Sequence, residues 1–230
     1  MTTCLLLLAL GQSGQVESKD FSADVQAAAL RATVRVVNVT RNREASAVIV
    51  KQEGAGVYFL TAGHVAQAGD KLEIHTFTKD SYPKPADVYK SAEVLAADKE
   101  HDVAVLRLVT RDAMPGVLPL CPPAKVPDDK DFPGLSAGCD SGKPPTCQVE
   151  KVRGKKKVQR PGDKEPTLAW EVAAAPAKGR SGGPLLDKRG LVLGVASGAN
   201  DGQGYYVHAE EIYRFLKRNG LERLSEEERK

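Results

Sequence analysis

Gly179-Arg180-Ser181-Gly182-Gly183-Pro184-Leu185-Leu186-Asp187 sets a serine among glycines at a sharp turn, just ahead of an apolar run. A serine hydroxyl is a weak nucleophile until a base takes its proton. A tight glycine turn can expose that hydroxyl and aim backbone N–H groups at a point beside it. There they would hold the negative oxygen that forms when an acyl carbon is attacked. Ser181 is the candidate nucleophile, and the N–H groups of Gly179 and Ser181 are the candidate oxyanion donors. The chemistry also needs a base and a carboxylate to orient it. Val57-Tyr58-Phe59-Leu60-Thr61 reads as a buried strand that runs into Ala62-Gly63-His64-Val65, so His64 sits at a strand end. Asp102 heads the apolar run Val103–Leu108, where a partly buried carboxylate needs a partner. His64 is the candidate base and Asp102 the candidate orienter.

Other residues of the same types fit less well. Ser141 lies in Asp140-Ser141-Gly142, which lacks the second glycine and leads into lysine and prolines. His75 falls in an alternating strand and reads as a surface residue. His101 adjoins Asp102, but successive strand residues face opposite sides, so it should point away. His208 introduces the last helix and could cap it. Asp98 and Asp112 each have a charged neighbour, Lys99 or Arg111, and neither leads directly into an apolar strand.

The elements around these residues are short strands. Val34–Val39 and Ala47–Val50 are rich in β-branched residues, and Gly54-Ala55-Gly56 suggests a hairpin turn into Val57. Lys71–Phe77 alternates with period two, and Val88-Tyr89 and Ala92–Leu95 read as further strands. Pro115–Pro133 carries six prolines and divides the chain into halves. Strands are expected after it near Gly134–Ala137, Gln148–Val152, Thr167–Val172, Pro184–Leu186, Leu191–Ala196 and Gly204–Val207. Ala209–Asn219 places Ile212, Phe215 and Leu216 on one helical face, with Gly220 just past its end. Strands at this spacing argue for a barrel or sandwich rather than for βαβ units.

TAGHV, DVAVLRL and GRSGGPL, in that order, resemble the three signature segments of the chymotrypsin-like serine peptidases. The likeness is greater to their bacterial trypsin-like, HtrA-type branch and spans roughly Ala29–Leu216. The resemblance implies an all-β fold: two antiparallel six-stranded β-barrels of chymotrypsin-like type with a C-terminal helix. His64 and Asp102 would come from the first barrel, Ser181 from the second, and the cleft would be their seam. The boundaries are a signal peptide over 1–11, a loosely ordered arm over 12–28 and a peptidase domain over 29–230, with Val25–Arg31 open to a short helix or an extended arm. Within the domain, the first barrel spans 29–114, the connector 115–133, the second barrel 134–208, the helix 209–220 and a polar tail 221–230. Ala196-Ser197-Gly198 resembles the strand that pairs with substrate backbone. Ala175 matches the base of the specificity pocket, where an uncharged residue implies a small or medium apolar side chain before the cut. Two positions depart from the pattern. Arg180 stands where trypsin has an aspartate that pairs with a freshly cut N-terminus, and no activation sequence is visible. The resemblance therefore leaves open whether the oxyanion loop is formed at rest. Ala45-Ser46-Ala47 stands where relatives carry a glycine-rich strand start.

Bulk properties fit an exported hydrolase. The net charge of +3 over 230 residues is too small to argue for nucleic acid. The run Lys151–Lys157 lacks interleaved aromatic residues and reads as a solvated loop or hairpin tip. Cys4–Leu10 is a short apolar run followed by small residues, as in an export signal, although no lysine or arginine precedes it. It is too short to span a bilayer. The expected location is periplasmic or extracellular, and the expected partner is a protein or peptide substrate. No cofactor is called for, and no Cys/His spacing suggests a metal. Cys139–Cys147 encloses turn formers. It could be closed by a disulfide worth roughly 2–3 kcal/mol by chain entropy, leaving Cys121 free. The competing functional reading is a non-catalytic protein-binding module on the same fold.

Overall fold

A computed structural model describes residues 19–128 and 130–226. The proposed signal and the first part of the arm lie outside the described residues. The remainder of the arm is ordered. Ser22 caps helix α1 (Ala23–Ala32) by accepting from the Val25 N–H, and the helix buries Ala29 and Ala32. The arm is therefore not loose over 23–28, and of the two forms open to Val25–Arg31 the helix is the one that forms. Small alanines on one face let α1 lie close against the sheet below.

Among the described residues, twelve strands form two closed antiparallel barrels. The first contains β1 (Thr33–Asn38), β2 (Arg43–Glu53), β3 (Gly56–Thr61), β4 (Leu72–Thr76), β5 (Asp87–Asp98) and β6 (Val103–Val109), in the order β1-β2-β3-β6-β5-β4. The second contains β7 (Phe132–Gly138), β8 (Thr146–Val158), β9 (Thr167–Val172), β10 (Pro184–Leu186), β11 (Val192–Asn200) and β12 (Gln203–His208), in the order β10-β11-β12-β9-β8-β7. Helix α2 (Ala209–Arg218) follows β12, and the His208 imidazole caps it by accepting from the Glu210 N–H.

The unbroken apolar character of β3 follows from its place. Val57 and Phe59 fill the first barrel with Val34, Ile49, Ile74 and Leu106. Tyr58 and Leu60 face the other way, into a seam shared with Leu135, Leu186, Val195, Ile212 and Phe215. Both faces are therefore buried, at about 1.5–3 kcal/mol for each large apolar side chain. The second barrel closes around Trp170, Val172, Leu185, Leu193 and Tyr206, and the Trp170 indole donates to the Leu193 carbonyl at 3.0 Å. The connector bonds to both barrels: Leu118 N–H donates to Ile49 O, and Cys121 N–H donates to Val192 O.

Several local expectations are corrected. The lysine run is part of β8, where Lys151 pairs with Asp131, Lys155 with Asp128 and Lys156 with Glu171. The two short strands expected at 88–95 are one bulged strand, β5. Cys121, Cys139 and Cys147 are free and buried. The β7–β8 register sets Ala137, not Cys139, opposite Cys147, so the hairpin does not offer the two sulfurs to each other. The expected polar tail begins with a 3₁₀ turn, Glu222–Ser225. It buries Leu221 and Leu224 and stacks Arg223 over the Tyr58 ring.

Candidate active site

His64 leaves the end of β3, and Asp102 occupies the turn before β6, its neighbour in the sheet. Asp102 has φ +56°, a left-handed conformation that aspartate tolerates better than most residues. Its carboxylate faces the histidine. His64 Nδ1 lies 2.9 Å from Asp102 Oδ1 and 3.0 Å from Oδ2, and the His64 backbone N–H donates to Oδ1 at 2.8 Å. Asp102 is 1% exposed, whereas the His64 side chain is 39% exposed. One ring nitrogen is therefore held from beneath while the ring reaches solvent.

Two more groups complete the Asp102 environment. The Ser197 hydroxyl donates to Oδ2 at 2.5 Å, and an Arg160 guanidinium nitrogen lies 3.1 Å from the same oxygen. Burial alone would raise the Asp102 pKa. The hydrogen bond and charge of His64, the Ser197 bond and the Arg160 charge outweigh it and hold the carboxyl below its usual range.

Ser181 comes from the loop before β10. Its carbonyl accepts from the Ser46 N–H at 2.8 Å, and the following Gly182 N–H donates to Ala196 O at 2.7 Å. Gly182 has φ +82°, and a Cβ there would stand 2.1 Å from Thr61 Oγ1 and 2.3 Å from Ser46 O. Only glycine lets this loop press against the end of β3, three residues before His64. The loop is thus fixed to the end of β3, which leads to His64, and to β11, which carries Ser197. Gly179 takes φ +90°, and among the described residues the N–H groups of Gly179 and Ser181 have no hydrogen-bond partner. Ala175 lies exposed on the loop after β9. Ala196 and Gly198 flank a bulge at Ser197 in β11, and Ala196 is buried.

The competing residues are engaged elsewhere. His101 Nδ1 lies 2.9 Å from Asp98, which also accepts from Arg218. Asp112 accepts from Tyr89 and Thr110. His75, expected at the surface, is covered by Arg35 and Glu73. Ser141 has φ +50° and donates its N–H to Lys178 O, which makes it a support of the Ser181 loop. No group of His, Cys, Asp and Glu among the described residues could hold a metal ion.

Two residues went unassigned by sequence reasoning. Ser46 is fully buried; its hydroxyl donates to Gly179 O and accepts from the Cys139 N–H, both at 2.8 Å. A serine inside the otherwise apolar stretch Ala45–Val50 was the available signal. Arg160 carried none, because a loop arginine looks like any surface charge.

A family model described as a trypsin-like peptidase domain matches residues 45–195. The chain belongs to the trypsin-like peptidase domain family. No curated protein matches it in sequence. Among solved structures it resembles the inactive form of the Rv3671c protease of M. tuberculosis, at 23% identity and TM-score 0.70, covering 85% of this chain and 92% of that one. The active form of the same protease aligns at 21% identity and TM-score 0.67, over 94% and 95% of the two chains. A serine endoprotease from Yersinia pestis aligns at 19% identity and TM-score 0.66, over 91% of this chain and 68% of that one. At these identities the structural likeness speaks for the fold, and it agrees with the paired barrels described above.

Proposed function

We propose that the protein is an exported serine endopeptidase that cleaves peptide bonds through an acyl-enzyme on Ser181. The observation that carries this reading is the His64–Asp102 pair, with the Ser181 loop fixed against the strand that delivers His64. Asp102 accepts the Nδ1 proton of His64, which leaves Nε2 as the basic nitrogen. Nε2 takes the hydroxyl proton as Ser181 Oγ bonds to the substrate carbonyl carbon. The carbonyl oxygen becomes an oxyanion between the Gly179 and Ser181 N–H groups. As the C–N bond breaks, the imidazolium gives its proton to the leaving amine. Water, deprotonated by the same imidazole, then releases the acid and restores Ser181.

The export signal, the substrate class and the pocket belong to the same proposal. Ala196 to Gly198 would pair with substrate backbone. The uncharged Ala175 suits a small or medium apolar residue before the cut, and a cleavage profile dominated by lysine or arginine would refute that preference. Among the described residues no helix is long and apolar enough to cross a membrane.

A fluorophosphonate tests the reaction. The reagent should label Ser181 in the parent protein and fail to label His64→Ala. A folded parent that takes no label and turns over no peptide would favour the binding-module reading.

A further inference from the structure

Arg180, between the two oxyanion-donor residues, is fully buried. Its Nε donates to Asp140 Oδ1 at 2.9 Å and its Nη2 to Asp140 Oδ2 at 3.1 Å, a two-pronged grip on one carboxylate. Nη2 also donates to Thr146 Oγ1 at 2.9 Å, and Nη1 donates to Ser136 Oγ at 3.3 Å and Thr146 O at 3.4 Å. Ser136 is in β7, Thr146 begins β8, and Asp140 lies in the turn joining them. The guanidinium is therefore staked into the hairpin beneath the loop. Gly138 provides its passage, since a Cβ there would stand 2.5 Å from Arg180 Cγ. A backbone bond joins the same two segments, Ser141 N–H donating to Lys178 O, and within the loop Arg180 N–H donates to Ala177 O.

A guanidinium cannot lose its charge, so burying it requires a counter-charge and filled donor positions. Here Asp140, Thr146 and Ser136 supply them. A loop arrangement that took Arg180 off Asp140 would strand a cation in the protein or drag it into water. Breaking one side of a buried pair is strongly unfavourable, whatever the pair's net worth. Because Arg180 is covalently joined to both donor residues, its attachment limits how far the Gly179 and Ser181 N–H groups can turn.

We propose that Arg180 is the positioning residue of the oxyanion loop: paired with Asp140, it holds the Gly179 and Ser181 N–H groups in their working orientation without any chain cleavage. The inference rests on the peptidase reading above. The ties of the Arg180 side chain all come from Ser136, Asp140 and Thr146 of the second barrel, while Ser46 of the first barrel holds the same loop from the other side.

The test is Arg180→Met, with peptide kinetics and near-UV circular dichroism beside the parent. Asp140 is partly exposed, at 23%, so water can reach its carboxylate once the arginine is gone. Oxyanion stabilisation exists only in the transition state. A folded variant should therefore lose about 10²–10³-fold in kcat while KM changes far less. A folded Arg180→Met with kcat near the parent's, or with its loss confined to KM, overturns the inference. Should Arg180→Met fail to fold, Thr146→Val decides it. This near-isosteric change removes one guanidinium acceptor and should lower kcat by about tenfold, one net hydrogen bond to a charged group; unchanged kcat overturns the inference. A parent that takes no fluorophosphonate and cleaves no peptide brings down the peptidase reading and this inference together. An active parent beside an equally active variant brings down this inference alone.

Discussion

The Ser46 hydroxyl donates to the Gly179 carbonyl at 2.8 Å, tying β2 of the first barrel to the candidate oxyanion loop of the second. The same oxygen accepts from the Cys139 N–H, so one small side chain joins three segments. The peptide whose carbonyl Ser46 holds ends at the Gly179 α-carbon, one bond from a candidate oxyanion N–H. Ser46→Ala should free that peptide and leave a buried N–H without a partner. The expected result is a kcat loss of about 10–100-fold with little change in KM, less than for removing a donor outright. Stability should fall by about 1–3 kcal/mol in urea titration. A variant with parental kcat would show that the loop keeps its shape without this bond.

Arg160 places a cation against the carboxylate that orients His64. Against the opposing effect of burial, that charge joins His64 and Ser197 in holding the Asp102 carboxyl below its usual range. The folded pKa lies below the unfolded one, so the stabilisation is present at neutral pH and is lost as pH falls through the carboxylate range. Arg160→Leu should therefore lower the urea midpoint at neutral pH, and its gap to the parent should narrow once the solution is taken below about pH 4. A gap that stays constant or widens on acidification would contradict this electrostatic role.

His208 makes stability depend on pH in mildly acidic solution. Burial, followed by the charges of Lys155 and Arg214, lowers its pKa from 6.5 to about 4. The folded value lies below the unfolded one. The stabilisation is therefore fully present above pH 6.5 and is lost as pH falls toward 4. Between pH 7 and pH 5 the protein should lose about 2 kcal/mol from this group, read from urea midpoints. His208→Asn keeps a capping side chain and should lack this slope, whatever its absolute stability. Asp98 and Asp102, held below 3.8, lose their contributions only at lower pH. Equal slopes for parent and variant between pH 7 and 5 would assign the effect elsewhere.

Ser181 and His64 should behave as one unit. Either change to alanine should lower kcat by roughly 10⁶, and the double variant should lose little more, because the base has no task without the nucleophile. Multiplicative losses would mean that the two residues act in separate steps.

What could be read in advance depended on how local the signal was. The strand that ends at His64, the run headed by Asp102 and the glycine turn at Ser181 each carry their pattern within a few residues. The barrel architecture and the family were legible from them together. The α2 face of Ile212, Phe215 and Leu216 was legible for the same reason. Ser46 and Arg160 were not, since their partners lie far along the chain and only the closed barrels bring them in. The lysine run misled because its charges are answered by Asp128, Asp131 and Glu171 on other segments and Val152 within it turns into the barrel core, which lets a lysine-rich stretch lie in a sheet. The cysteine pair misled because turn formers between two cysteines say nothing of strand register.

The crossing strap at residues 118–121 has a mechanical consequence. It accepts and donates through Pro119 and Cys121 to Val192 on one side, and donates from Leu118 to Ile49 on the other. A clamshell opening of the two halves would have to shear these bonds and unzip the apolar seam beneath them. The strap therefore fixes the pose of one half against the other through main-chain bonds, which no side-chain truncation in it can remove.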